Sequence, residues 1–468
     1  MSAGPEGPDH GPPAGSAPDR MTDVEAMMWR LGEHDGRLRS TMTLMVHFDR
    51  AVGREALRDR VEQVTRRVPV LRRRVGTGAF GPAPPRWEPD PQFSVGRHLQ
   101  VVRSPARPEV LAVAEDLISS PFPPDRPPWR AVLVPGPVDA LVLHLHHSYT
   151  DGLGGVRLLS ELFDLTATGG DRAGPAPAPG EPVTPPLEGL QQEMEAELRR
   201  SLRLASRAVP WALRSVAAAV HDPEAVVAAA SEVLGSLRSQ LAGVTGPASP
   251  VMRGRSAAVR LATLEVPVDS LRRAGRRLDA TVNDVFLGGL LEGLARYHEK
   301  CALLPPSLRL GIPISSRLPG GGDQGLHNQL YGAVLPGPLG PLDFDERTRL
   351  VHEMVVLARR QPWLGMIDDL AGLAVRAPGT VGLLATTLRS LDVVASNVTG
   401  PPVALYLAGA QVEQMVPIGP RSGSALNATL LSYRERAHIG LNIDPTAVAD
   451  PGVLVDCIRS AFDDHLPG

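Results

Sequence analysis

The stretch Leu141-Val142-Leu143-His144-Leu145-His146-His147-Ser148-Tyr149-Thr150-Asp151-Gly152-Leu153-Gly154-Gly155 decides how this chain is read. Its first part is apolar, its second part holds adjacent histidines, an aspartate and glycines, and Val156, Leu159, Leu162 and Phe163 follow at helical spacing. A strand, a tight turn and a helix are predicted in that order. Successive side chains of a strand point to opposite faces, so His147 shares a face with Leu143 and Leu145 while His144 and His146 point the other way. A histidine at a strand end, aimed into apolar space, can stay neutral and accept a proton near neutral pH. An alcohol is a poor nucleophile until its proton is removed, and a positioned general base contributes about 10²–10⁴-fold in rate. Asp151 is placed to bond the turn, or to pair with an arginine, and so to hold the loop that carries His147. Gly152 permits a backbone conformation that a side chain would obstruct, and His146 packs or hydrogen-bonds beneath the site. His147, Asp151, His146 and Gly152 form the candidate catalytic group.

Upstream of this stretch, Thr22 is placed to cap a short helix through Trp29, with Glu25 at its third position. Ser40–Phe48 reads as a strand with Met42, Leu44 and Val46 on one face. Glu55–Arg67 and Val110–Ser119 have helical spacing, and Pro135-Gly136-Pro137 turns strand Ala131–Val134 into strand Leu141–His147. Downstream, Pro, Gly and Ala dominate from Gly169 to Pro186, as in a linker. Leu187–Ala242 then reads as largely helical. Leu190, Met194, Leu198 and Leu202 line one of its faces, and Arg199, Arg200, Arg203 and Arg207 supply positive charge. Two readings of that helix stay open: an interfacial helix drawn to anionic lipid, or an inter-lobe helix with a solvated charged face. The second half opens with strand Ala257–Val266. Helix Val282–Tyr297, strands Leu308–Ile314 and His438–Ile443, and helix Pro451–Leu466 follow. Strands and helices mixed in both halves predict an α/β protein with mixed sheets. The expected division is a disordered tail at 1–20, a first lobe at 21–168, a linker and helical connector at 169–254, and a second lobe at 255–468.

A chain of 468 residues can form two cores. Its formal net charge of −3 carries no electrostatic footprint for nucleic acid. Cys301 and Cys457 are the only cysteines, which argues against a disulfide framework and fits a reducing cytoplasm; Cys457 reads as a small core residue of the last helix. No segment reaches the roughly 20 apolar residues that span a bilayer, and no signal-peptide pattern opens the chain. Other chemistries lack their motifs. There is no G-x-S-x-G elbow, His352-Glu353 is followed by Val356 where a zincin needs its second histidine, and Gly320-x-Gly322-x-x-Gly325 lacks a βαβ setting. No metal-ligand cluster stands out, and no cofactor is called for.

Several segments, in order, resemble the wax ester synthase/acyl-CoA:diacylglycerol acyltransferases, over essentially everything from Met21 onward. His146-His147 with Asp151-Gly152 matches the HHxxxDG pattern of the wider CoA-dependent acyltransferases. Asp125-Arg126-Pro127-Pro128-Trp129 is similar to the family's R-P-L-W segment, Thr281-Val282-Asn283-Asp284-Val285 to its TVNDV helix start, and Pro313-Ile314-Ser315-Ser316-Arg317 to its P-V-S-x-R strand. Ser396-Asn397-Val398-Thr399-Gly400-Pro401 resembles S-N-V-P-G-P, and Ser432-Tyr433 and the Asp450-Pro451 region also fit.

The resemblance implies two chloramphenicol-acetyltransferase-like lobes with a substrate tunnel between them. It also implies direct transfer of a long-chain acyl group from acyl-CoA, a substrate rather than a cofactor, to diacylglycerol or a fatty alcohol, with His147 as base. The partners it implies are acyl-CoA and a hydrophobic alcohol acceptor, with peripheral contact to the inner membrane surface or a lipid droplet as a further expectation. Asn283 and Asn397 become oxyanion or substrate-binding candidates. Asp284 joins them with a mainly structural role, and Arg317 could pair with Asp151 or with a CoA phosphate. Each asparagine has a structural alternative: Asn283 in the first turn of a helix capped by Thr281, Asn397 in ordering the Gly400-Pro401 loop. The chain departs from the pattern at Asp23-Val24-Glu25, where the family has P-L-D. It also departs at Arg130, which stands for an acid, at His327-Asn328 and at Thr399. These changes bear on the acceptor more than on the reaction. Acylation of a specialised metabolite, a condensation-type reaction from a carrier-bound donor, and a silent lipid- or carrier-binding protein are the rival readings.

Overall fold

A computed structural model of the protein describes residues 21–76, 85–102, 109–149, 152–169, 246–315, 330–360 and 379–466. The elements of the first half are α1 (Asp23–His34), β1 (Thr41–Phe48), α2 (Arg54–Arg67), β2 (Arg73–Gly76), β3 (Arg86–Pro89), β4 (Leu99–Val101), α3 (Val110–Ser119), β5 (Trp129–Val134), β6 (Ala140–His146) and α4 (Gly152–Leu162). The second half supplies β7 (Arg260–Pro267), α5 (Val268–Leu278), α6 (Val282–Lys300), β8 (Ser307–Ser315), β9 (Leu330–Pro338), α7 (Phe344–Arg359) and α8 (Thr380–Arg389). It closes with β10 (Val393–Thr399), β11 (Tyr406–Leu407), β12 (Ala410–Ile418), β13 (Leu426–Tyr433), β14 (Arg436–Ile443) and α9 (Pro451–His465).

Two mixed six-stranded sheets organise these elements, with orders β11-β12-β1-β6-β5-β4 and β7-β14-β13-β10-β8-β9. In the first sheet, alternation sorts the side chains cleanly. Leu44, Val46, Leu141, Leu143, Leu145, Trp129 and Ala131 pack on one face with Leu57, Val61 and Val64 of α2 and Leu158, Leu159 and Leu162 of α4. Met45, Val132, Val134 and Val142 pack on the other with Ala114 and Leu117 of α3. The second sheet carries α6, α7 and α9 on one face. Helix α6 is buried along most of its length, and its glycines explain how it packs so closely. A Cβ on Gly289 would sit 2.5 Å from the Phe462 ring, and one on Gly293 would sit 2.4 Å from Ile458 Cα in α9.

The expected boundary between lobes needs correction at one place. Strands β11 and β12 lie beyond residue 255, yet β12 pairs antiparallel with β1, so the first sheet is completed by the second half of the chain. The chain leaves the second sheet after β10, adds this hairpin to the exposed edge of β1, and returns as β13. Pairing that edge satisfies backbone groups that an open strand would leave bare. Tyr433, 1% exposed, fastens the crossover: its hydroxyl donates to the Val412 carbonyl and accepts from the Leu405 amide, both at 2.9 Å. At Gly440 the strands approach so closely that a Cβ would lie 1.8 Å from the Pro417 carbonyl oxygen. Of the connector expected at 169–254, residues 170–245 lie outside the described residues. Where the chain resumes, buried Asp392 accepts the amides of Ala248 and Ser249, each at 3.1 Å, and that of Arg309 at 2.8 Å.

Candidate active site

Strand β6 delivers the histidine pair to the end of the first sheet. His146 is its last residue, and His147 opens a 3₁₀ turn, His147–Tyr149, rather than continuing the strand as expected. The turn is pinned at several points. The His147 amide donates to the Ser40 carbonyl at 2.7 Å, at the start of β1. Tyr149 donates from its hydroxyl to the Arg73 carbonyl at 3.3 Å and stacks on Trp87, ring centroids 4.8 Å apart. His146 is 5% exposed; its Nδ1 accepts the Ser148 amide at 3.2 Å and lies 2.8 Å from the Ser148 hydroxyl, with Trp29 edge-on at 4.8 Å. Burial lowers its pKa to about 3, so His146 is neutral, carries its proton on Nε2 and positions the turn. Of the adjacent pair, His147, half-buried, is the one that lines the central cavity.

That cavity has a volume of about 640 Å³ and is bounded by both lobes, within the size range of small-molecule sites. On one face of the first sheet it runs between Leu143, Leu145 and Ala131 of the sheet, Val61 and Val64 of α2, and Leu158 and Leu162 of α4. This arm is apolar. On the opposite face it meets Thr43, His144 and Arg130. The second sheet closes it with an alternating row: Val394, Ser396 and Val398 of β10 stand beside Asn427, Thr429 and Leu431 of β13 in register. Helix α1 contributes Val24, Met27, Met28 and Leu31, and α8 contributes Leu384, Thr387 and Leu388. The entry of α1 is set by a capping box in which Glu25 accepts the Thr22 amide at 2.8 Å and Thr22 accepts the Glu25 amide at 3.2 Å. A glutamate at that position therefore has a definite structural task.

Three of the expected substrate-binding residues are placed elsewhere. Asn283 and Asp284 begin α6, on the helical face of the second sheet, and neither lines the cavity. Asp284 is 1% exposed; its Oδ2 accepts from the Thr281 amide (2.9 Å) and hydroxyl (2.8 Å) and lies 2.8 Å from His352 Nδ1. It closes the helix cap and joins α6 to α7. Asn397 sits between the cavity-lining Ser396 and Val398, so period-two alternation turns it to the opposite face. Gly152 is the first residue of α4, and Asp151 and Arg317 lie outside the described residues. Sequence reading missed the polar residues Ser396, Asn427 and Thr429. The signal was there in part: Asn427 and Thr429 interrupt an apolar strand at spacing two. Thr429 donates to Asn427 Oδ1 at 2.7 Å, and Asn427 donates to the Pro420 carbonyl at 3.0 Å.

Among the described residues no group of His, Cys, Asp and Glu is arranged to hold a metal ion, and no helix is long and apolar enough to cross a membrane. The chain matches the wax ester synthase/diacylglycerol acyltransferase catalytic domain over residues 21–286 and the WS/DGAT C-terminal domain over 328–465. A Mycobacterium tuberculosis protein named as a diacylglycerol O-acyltransferase is 31% identical over 461 residues, covering 96% of this chain and 92% of the relative. Two solved structures share the fold. The wax ester synthase/diacylglycerol acyltransferase from Marinobacter aquaeolei matches with a TM-score of 0.60 at 18% identity, over 95% of this chain and 98% of that one. The first condensation domain of the calcium-dependent antibiotic synthetase matches with a TM-score of 0.61 at 16% identity, over 97% of each chain. The protein is an acyltransferase, and it belongs to the wax ester synthase/diacylglycerol acyltransferase family.

Proposed function

We propose that the protein transfers a long-chain acyl group from acyl-CoA to the hydroxyl of diacylglycerol or a fatty alcohol, with His147 as general base. The observation that carries this is that His147 lines one cavity together with the apolar Leu143, Leu145 and Leu158 and the polar Ser396, Asn427 and Thr429. An acyl tail lying in the arm between α2, α4 and the sheet brings its thioester carbonyl to His147. The acceptor hydroxyl gives its proton to His147 as its oxygen attacks that carbonyl. The tetrahedral intermediate collapses, the carbon–sulfur bond breaks, and the CoA thiolate takes the proton back from the imidazolium. The enzyme forms no covalent acyl intermediate and needs no cofactor. Ser396, Asn427 and Thr429 are the cavity-lining groups we assign to the polar atoms of the reacting centre. The acceptor is apolar, so we place its uptake at a membrane surface or lipid droplet.

Release of CoA thiol from palmitoyl-CoA, with hexadecanol or diacylglycerol as acceptor, tests the reading. Acceptor-dependent release is expected, and His147→Ala should lower it about 10²–10⁴-fold. Full turnover in a folded His147→Ala enzyme would remove His147 from the mechanism.

A further inference from the structure

The cavity has a feature that transfer to an uncharged alcohol leaves unused. Thr43, His144 and Arg130 stand opposite one another on three adjacent strands, on one face, and all line the cavity. His144 is 1% exposed; Nδ1 lies 2.8 Å from the Thr43 hydroxyl, and Nε2 is buried with no hydrogen-bond partner among the described residues. Its ring stacks on Phe122 at 4.9 Å, and the Arg130 guanidinium lies over the same phenyl ring at 5.6 Å. Arg130 donates to the Pro121 carbonyl at 2.8 Å and forms no ion pair with any carboxylate of the described residues. A buried polar atom without a partner is costly and rarely retained without use. Here the residue that carries it lines the cavity, beside an arginine that pairs with no carboxylate of the described residues.

We propose that Thr43, His144 and Arg130 form a subsite for an oxyanion, a phosphate or carboxylate carried by one of the two substrates. Arg130 can only donate, so the occupant must accept. An oxygen-only group satisfies Arg130 and His144 together once Thr43 donates to Nδ1 and the imidazole proton sits on Nε2. His144 stays neutral, since burial and the nearby Arg130 lower its pKa to about 3, and the subsite therefore carries a single positive charge. It lies three residues back along the chain from His147, on the order of 10 Å. Two sources present such oxygens: the phosphates of CoA on the donor, or an anionic group on the acceptor. The inference rests on the acyl-transfer reading for its substrates but not for its test.

The test measures binding and turnover separately, in wild type, Arg130→Gln and His144→Phe, the last keeping the stack on Phe122 without the Nε2 donor. Donors are palmitoyl-CoA and the phosphate-free palmitoyl N-acetylcysteamine thioester; acceptors are hexadecanol and 16-hydroxyhexadecanoate. Loss of one charge-assisted hydrogen bond should weaken binding of the oxyanion-bearing ligand roughly ten- to hundredfold and leave its uncharged counterpart unchanged. An effect confined to palmitoyl-CoA assigns the subsite to the donor, and one confined to the hydroxy acid assigns it to the acceptor. Selective loss of binding without turnover in any pairing would sustain the subsite and refute acyl transfer. Equal losses for charged and uncharged ligands, or no loss in either variant, would overturn the subsite.

Discussion

Acid should unfold this protein early, and the histidines around the His147–Tyr149 turn set the scale. His144 and His146 are 1% and 5% exposed, and burial lowers each from the ordinary 6.5 to about 3. Both are neutral in the fold, whereas the unfolded chain binds a proton at each below pH 6.5. Their contribution is therefore complete above pH 6.5 and is lost as the pH falls from 6.5 towards 3. Each should remove about 2 kcal/mol between pH 7 and pH 5, since one unit of pKa difference is worth about 1.4 kcal/mol. His47, His98, His298 and His438, also lowered by burial, add in the same direction. Carboxylates contribute little in this window, because they bind protons mainly below it. The informative perturbation is His146→Asn, whose Oδ1 can accept the Ser148 amide in place of Nδ1. Urea unfolding at pH 7, 6 and 5 should show the variant losing about 2 kcal/mol less than wild type across that range. Parallel pH profiles for the two proteins would refute the argument, for they would mean that His146 titrates alike in fold and coil.

Four further outcomes follow from named contacts. Tyr433→Phe strands the buried Leu405 amide and should lower stability by about 1–3 kcal/mol in denaturant titration. Gly293→Ala drives a Cβ into the Ile458 backbone of α9 and should cost about 1–3 kcal/mol by the same measurement, with overpacking as the cause. Ala131→Phe fills the apolar arm, so the ratio of octanoyl-CoA to palmitoyl-CoA turnover should rise; an unchanged ratio would place the acyl tail elsewhere. Asp284→Ala breaks the cap of α6 and the His352 contact and should cost about 1 kcal/mol. Turnover per folded molecule should hold, and a fall in kcat at equal folded fraction would return Asp284 to the reaction.

The sequence alone determined the local elements and the family. Alternating apolar residues around His144 to His147, the Thr22 and Thr281 caps, and the HHxxxDG spacing are properties of neighbours in the chain. Short-range physics makes such features legible: strand alternation, capping hydrogen bonds and helical spacing each act within a few residues. What the tertiary structure decided involves partners far apart in sequence. Strands β11 and β12 crossing into the first sheet depend on an edge of β1 more than 350 positions away, and no local pattern marks that pairing. Which of Ser396 and Asn397 meets the cavity depends on which face of the second sheet α6, α7 and α9 cover. A strand's two faces are equivalent until a layer packs on one of them. The same holds for His144, which reads as one more buried strand residue until β1 and β5 set Thr43 and Arg130 on either side of it.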